Sequence, residues 1–211
     1  MISVIDTGIG NLASVQRAFS TIGAQTQLIS DPDLVRSADA IVLPGVGAFR
    51  DGMKALNTHG MVTPLREAAA TGKPILGFCL GMQLLASVSE EFGEYEGLGL
   101  IPGRVRALTP GPNERVPNIG WCDVIPHNNA KLFEGIPEAS SLYFVHSYHL
   151  QCDNPEHIAA TIRFGNDDIT VALEHGNIFG LQCHPEKSQE AGLNVLAQFM
   201  NEVEDYKRSN S

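Results

Sequence analysis

Gly77-Phe-Cys79-Leu80-Gly81 joins an apolar run, Pro74–Phe78, to a helical pattern. A cysteine between strand and helix, with glycines at −2 and +2, has the form of a nucleophile elbow. Such a turn lifts one side chain above the sheet edge, and the glycines let the two backbones nearly touch. A thiol at a helix N-terminus favours the thiolate, which is the attacking form. Taken alone, the pentapeptide is as well described by a buried cysteine at a strand end.

A nucleophile needs a base, and Gln182-Cys183-His184-Pro185-Glu186-Lys187-Ser188 offers one after another apolar strand. In extended chain, residues i and i+2 project to one side, so His184 and Glu186 can meet while Cys183 packs on the opposite face. A carboxylate beside an imidazole fixes its tautomer and stabilises the imidazolium. Alone, His-x-Glu is commonly a surface ion pair of little worth. Ending a buried strand beside an elbow cysteine, it completes a Cys79-His184-Glu186 nucleophilic triad.

Acyl chemistry also needs donors for an oxyanion. The N–H of Leu80, next after the nucleophile, is one. Pro44-Gly45-Val46-Gly47 ends a third strand and is the source of the second, because its glycines let the peptide between them face either way. A Val46 peptide resting with its carbonyl toward Cys79 would keep the site nearly silent until it turned over. Gln83, one helical turn beyond Cys79, shares its face and is a candidate substrate contact.

The elements that must position these residues are short apolar runs alternating with helical patterns. Ile2–Asp6, Thr26–Ser30, Asp39–Pro44 and Pro74–Phe78 read as strands, and Asn11–Ile22, Met61–Thr71 and Leu80–Ser89 as helices. Alternation of this kind predicts an open, mostly parallel twisted sheet with helices on both faces, flavodoxin-like. In the second half, Leu98–Leu108, Arg115–Ile125, Ser141–Gln151, Ile158–Phe164, Thr170–Glu174 and Ile178–Cys183 are strand-like and closely spaced, which predicts antiparallel pairing. An amphipathic helix over Ser188–Val203 and a polar tail, Tyr206–Ser211, end a single α/β domain, residues 1–211.

Composition narrows the functions. With 14 Lys+Arg against 24 Asp+Glu the net charge is −10, which argues against a phosphate-neutralising nucleic-acid face. At 43% hydrophobic and 18% charged, the 211 residues can bury a core. No apolar run approaches the ~18 residues of a membrane span, and Met1–Asp6 lacks the basic start of a signal peptide. A cytoplasmic protein is expected. Cys79, Cys122, Cys152 and Cys183 fit neither a zinc cage nor a disulfide framework, so four free thiols and no metal are expected.

Gly-x-Cys-x-Gly-x-Gln from Gly77 to Gln83, and His-Pro-Glu from His184 to Glu186, resemble the signatures of the class I, or triad, glutamine amidotransferases. Asp6–Asn11, Pro44–Gly47, Tyr143–Tyr148 and His184–Ser188 resemble the branch of that family that supplies ammonia in histidine biosynthesis. The likeness spans essentially the whole chain. It implies L-glutamine as substrate, no cofactor, and a heterodimer with a (β/α)8 cyclase subunit, without nucleic acid or membrane. It also implies that Gly47, His146, Ser147 and Tyr148 complete the substrate pocket, and that Asn11, Trp121, Tyr143 and Lys187 face the partner. Thr7, Asn118 and Cys183 depart from the usual Tyr, His and Phe.

Two rivals remain at this level. Gly8-Ile9-Gly10-Asn11-Leu12-Ala13 after a strand, with Asp31 after the next, fits the fingerprint of a dinucleotide-binding oxidoreductase. That reading leaves Cys79, His184 and Glu186 without work. A glutaminase of pyridoxal phosphate or purine synthesis is the rival within the same chemistry.

Overall fold

The computed structural model describes residues 1–8, 10–112, 114–127, 130–137 and 140–210. Through the first half the order is β1 (Ile2–Ile5), α1 (Leu12–Thr21), β2 (Thr26–Ile29), α2 (Asp33–Ser37), β3 (Ala40–Leu43), α3 (Phe49–Thr58), α4 (Val62–Ala70), β4 (Ile75–Phe78) and α5 (Leu80–Leu84). There follow β5 (Ala86–Ser89), β6 (Tyr95–Glu96), β7 (Ile101–Ala107), β8 (Asn118–Asp123), β9 (Ile125–Pro126), β10 (Ser141–His146) and β11 (Tyr148–Cys152). The chain closes with β12 (Ile158–Phe164), β13 (Asp167–His175), β14 (Ile178–Leu181) and α6 (Gln189–Ser209).

An eight-stranded sheet runs β2-β1-β3-β4-β14-β13-β12-β9. Its first five strands pair in parallel and the rest antiparallel. Every residue of β1, β3, β4 and β14 is buried, as parallel strands covered on both faces must be. Alternation then divides their side chains between two cores. Val4, Val42 and Leu76 pack with Phe19 of α1 and Phe199 of α6, whereas Ile5, Ile41 and Ile75 pack with Phe49 and Leu65 on the other face. The order β3-β4-β14 brings the C-terminal ends of three neighbouring strands together, and each runs into one of the three motifs. Open α/β sheets bind ligands at that edge.

Four expected elements differ, the run Arg115–Ile125 dividing at Val124 into β8 and β9, which join different sheets. The helix begun at Leu80 stops at Leu84, because the Leu84 carbonyl accepts from Leu98 N–H at 2.8 Å and the Leu85 carbonyl from Leu100 and Ile101 N–H at 2.9 Å. Ser87-Val88-Ser89, poor helix formers, pair with β7 and β6 instead. The run Ser141–Gln151 breaks at Ser147, whose carbonyl accepts from Leu108 N–H at 2.9 Å. β10 pairs with β8, while β11 belongs to a separate sheet, β11-β7-β5-β6. Finally, α6 continues through the expected tail to Ser209, supported by Glu204–Lys207 and Asp205–Arg208 ion pairs and by basic residues in its last turn. Ser211 lies outside the described residues. No helix among them is long and apolar enough to cross a membrane.

Candidate active site

Cys79 sits at φ 50°, ψ −110° between β4 and α5, a backbone region that L-residues avoid. Its N–H donates to the Leu181 carbonyl of β14 at 2.7 Å, which fixes the turn to the neighbouring strand. The flanking glycines are demanded by space. A Cβ on Gly77 would stand 2.6 Å from the Gly81 carbonyl, and one on Gly81 would overlap the Leu43 carbonyl oxygen of β3.

One strand away, β14 delivers the base. His184 Nδ1–H donates to Glu186 Oε1 at 2.9 Å, with both side chains buried. Pro185 bends the chain into the turn Pro185–Lys187 that lets Glu186 reach back. Nε2 is buried and has no partner among the described residues. Burial disfavours a charged ring, yet the Cys79 sulfur and the Glu186 carboxylate outweigh it and raise the His184 pKa to about 9. At neutral pH this imidazole carries a proton that it can give away.

The third strand delivers the loop. Leu80 N–H donates to the Gly45 carbonyl at 3.3 Å, so the donor expected to meet an oxyanion already holds a carbonyl. The carbonyl belongs to the peptide between Gly45 and Val46, one residue earlier than the glycine spacing suggests. Gly45 is packed against α5, where an added Cβ would lie 3.2 Å from Leu80 Cβ. Gly47, at φ 98°, supplies the left-handed turn that follows.

These motifs wall a cavity of about 270 Å³ that Val46, Gly47, Cys79, Leu80, Gln83, His146, Ser147, Tyr148 and His184 all line. Gln83 Nε2 is engaged by the Tyr148 carbonyl and by Gln182 Oε1, each at 3.0 Å, so its own carbonyl oxygen is what it can offer a ligand. His146 is engaged as well: Nδ1–H donates to the Tyr148 carbonyl at 2.9 Å, and Nε2 accepts from Asn118 Nδ2 at 3.2 Å. Burial lowers its pKa to about 4, which keeps it neutral and consistent with that tautomer. It shapes the wall rather than presenting a charge.

The model of the class-I glutamine amidotransferase family matches residues 3–203. A curated relative from Sulfurimonas denitrificans, "Imidazole glycerol phosphate synthase subunit HisH", is 48% identical over 202 residues, covering 94% of this chain and 97% of that one. One of the same name from Moorella thermoacetica is 44% identical over 198 residues, 94% of this chain and 93% of that one. The chain belongs to the class-I glutamine amidotransferases. Among solved structures, PurLQS from Thermotoga maritima superposes with a TM-score of 0.73 at 20% identity, covering 95% of this chain and 97% of that one. A crystal structure titled glutamine amidotransferase gives 0.75 at 17%, covering 96% and 98%. Both likenesses speak for the fold.

Two side chains of this amidotransferase site were not singled out from sequence. Gln182, fully buried, donates from Nε2 to Cys79 Sγ at 3.8 Å. It lies two residues before His184, so the same-side rule that joined His184 to Glu186 also marks it. Glu91 lines the cavity while its Oε2 caps α3 by accepting from Phe49 N–H at 2.6 Å. Its position in a polar loop after β5 carries no such periodic signal. At the other three thiols burial disfavours the thiolate: it pushes Cys152 up to about 12 and raises Cys122 and Cys183.

Of the residues expected at a partner face, Trp121, Tyr143 and Lys187 stand together. Trp121 is 48% exposed, so it is not a core indole. It pairs across the β8–β10 ribbon with Tyr143, rings edge-on at 5.9 Å, and Lys187 Nζ stands 5.9 Å from the Tyr143 ring. Asn11 caps α1 through Ser14 N–H and lines a small cleft shared with His184 and Glu186. In the glycine fingerprint, Gly8 N–H is taken by Asp6 Oδ1 at 2.8 Å, which sets a carboxylate where a pyrophosphate would need open donors. Ile9 lies outside the described residues.

Proposed function

We propose that this amidotransferase hydrolyses L-glutamine to glutamate and ammonia, and passes the ammonia to a (β/α)8 cyclase subunit with which it forms a heterodimer. In this reading the pair makes imidazole glycerol phosphate and AICAR in the histidine pathway. The observation that carries it is one cavity holding a strained elbow cysteine beside an imidazole locked to a buried carboxylate. The names of relatives at 42–48% identity favour this pathway over purine or pyridoxal phosphate synthesis.

The Cys79 thiolate attacks the carboxamide carbon, and the oxygen becomes an oxyanion that needs Leu80 N–H and a donor from the 45–47 loop. His184 gives its proton to the nitrogen, the C–N bond breaks and ammonia leaves, with Cys79 held as a glutamyl thioester. The now neutral imidazole takes a proton from water, whose oxygen attacks the thioester and expels the thiolate as glutamate forms. Glu186 keeps Nδ1 protonated and Nε2 facing the reaction. Glutamate release by the chain assembled with its cyclase is the experiment that tests this, and its absence would refute the reading.

Substrate selection needs an anion for the α-ammonium, and Glu91 is the carboxylate in the cavity wall. A charged hydrogen bond is worth about 1.5–3 kcal/mol. Glu91→Gln should therefore raise the glutamine KM about tenfold or more while kcat changes much less. Steady-state kinetics with an unchanged KM would remove Glu91 from the site.

Ammonia set free in water would be protonated and lost, so a covered exit is required. The exposed Trp121 beside Tyr143 is an anchor of the kind that partners bury. Because Trp121 is the single tryptophan, adding a tryptophan-free variant of the cyclase should shift the emission to shorter wavelength. An unchanged spectrum at saturation would place the interface elsewhere.

A further inference from the structure

Ser188 is 1% exposed, and its hydroxyl both donates and accepts. Oγ donates to the His184 carbonyl at 2.7 Å and accepts from Tyr143 N–H at 2.9 Å. The His184 N–H in turn donates to the Tyr143 carbonyl at 2.9 Å. Residues opposed in an antiparallel hydrogen-bonded pair exchange both bonds directly. Here Pro185 starts the turn Pro185–Lys187, and the hydroxyl takes the place of the second bond. Ser188 is itself held: its N–H donates to the Pro185 carbonyl and its carbonyl accepts from Gly192 N–H, both at 3.1 Å. A Cβ on Gly192 would stand 2.8 Å from Ser188 Cβ, so this corner is tightly packed.

Both ends of the link have other business. One is the backbone of the imidazole that faces Cys79. The other is the backbone of Tyr143, whose ring meets Trp121 and Lys187 on the exposed side. Buried polar links of this kind have two satisfied bonds to lose and hold their partners in one register. We propose that Ser188 is a positioning residue that locks the His184 backbone to that of Tyr143, so that a partner seated on Trp121, Tyr143 and Lys187 sets the imidazole against Cys79. The proposal rests on the glutaminase reading above.

The test uses the assembled complex with the (β/α)8 cyclase. Wild-type glutamate release is measured first, since its absence overturns the glutaminase reading and the proposal with it. Ser188→Ala should lower kcat for glutamate release by about tenfold or more, with KM within about twofold. Ammonia-driven synthesis should stay near wild type, and the descending limb of the kcat pH profile should move to lower pH as the imidazole loosens from Cys79 and Glu186. Ser188→Thr, which keeps the hydroxyl, should recover most of the rate. Wild-type kcat and pH profile in Ser188→Ala would overturn the proposal, as would an equal loss of ammonia-driven synthesis. Should Ser188→Ala not fold, hydrogen exchange of the wild-type Tyr143 amide decides. Protection that deepens when the cyclase binds supports the link, and an amide that exchanges freely overturns it.

Discussion

Cys79→Ala should lower glutamate release by about 10⁴-fold or more, the scale on which removing a nucleophile from a coupled triad acts. The substitution takes away one sulfur atom at the end of β4 and leaves the elbow glycines in place. Structure should therefore survive, and so should the partner's synthesis when ammonia is supplied directly. The remaining thiols offer no substitute. Cys183 is buried within the hydrophobic core, and burial raises both Cys152 and Cys122. Paired assays with glutamine and with ammonium salt check both halves. Residual glutamate release near the wild-type rate would remove Cys79 from the reaction, whereas loss of both activities would mean that the elbow had collapsed.

A second large effect concerns the loop after β3. With the Gly45 carbonyl on Leu80 N–H, an oxyanion would meet an acceptor where it needs a donor. Losing one such donor costs about 2.7–4 kcal/mol, or about 10²–10³ in rate. Turning the Gly45–Val46 peptide over frees Leu80 N–H and offers Val46 N–H in the same stroke. Gly45, on one side of that peptide, lowers the torsional cost of the turn, while Val46 must change its φ on the other. A ligand of the partner can drive it only by binding the turned state more tightly than the resting one. Glutamate production by the complex should accordingly rise about tenfold or more when the cyclase substrate, or an unreactive analogue, is added. Equal rates with and without that ligand would remove the switch and leave the triad untouched.

Much of the site could be read from residue types because its three carriers are buried parallel strands. Ala40–Leu43, Ile75–Phe78 and Ile178–Leu181 are unbroken apolar runs, and each ends in residues that do not suit a core. Their adjacency at one sheet edge follows from the fold class, so Cys79, His184 and Glu186 can be expected to meet there from residue types alone. The elbow glycines were legible for the same reason: no other residue fits where strand and helix backbones meet.

What escaped was decided by distant backbone. Ala86–Ser89 became a strand because Leu98, Leu100 and Ile101 claim the carbonyls that a longer helix would have needed. Ser147 divides an otherwise regular alternation, and only its bond to Leu108 explains the break. Helix α3 does carry a pattern, Phe49, Met53 and Leu56 on one face, but a preceding glycine-rich loop and Gly52 blur it. Glu91 stands in an acidic pair after a short strand, where carboxylates are ordinarily solvated. Which way the Gly45–Val46 peptide points is not encoded by residue type at all, since glycine accepts both orientations.

The central claim is that Cys79 alone forms a covalent acyl bond with the glutamine side chain. A glutamine-like electrophile, followed by intact-mass and peptide mass spectrometry of the complex, tests it most directly. The account predicts one adduct, on the peptide carrying Cys79, suppressed by excess L-glutamine and absent from Cys79→Ala. An adduct on Cys122, Cys152 or Cys183 that glutamine suppresses, or no adduct on Cys79, would contradict it.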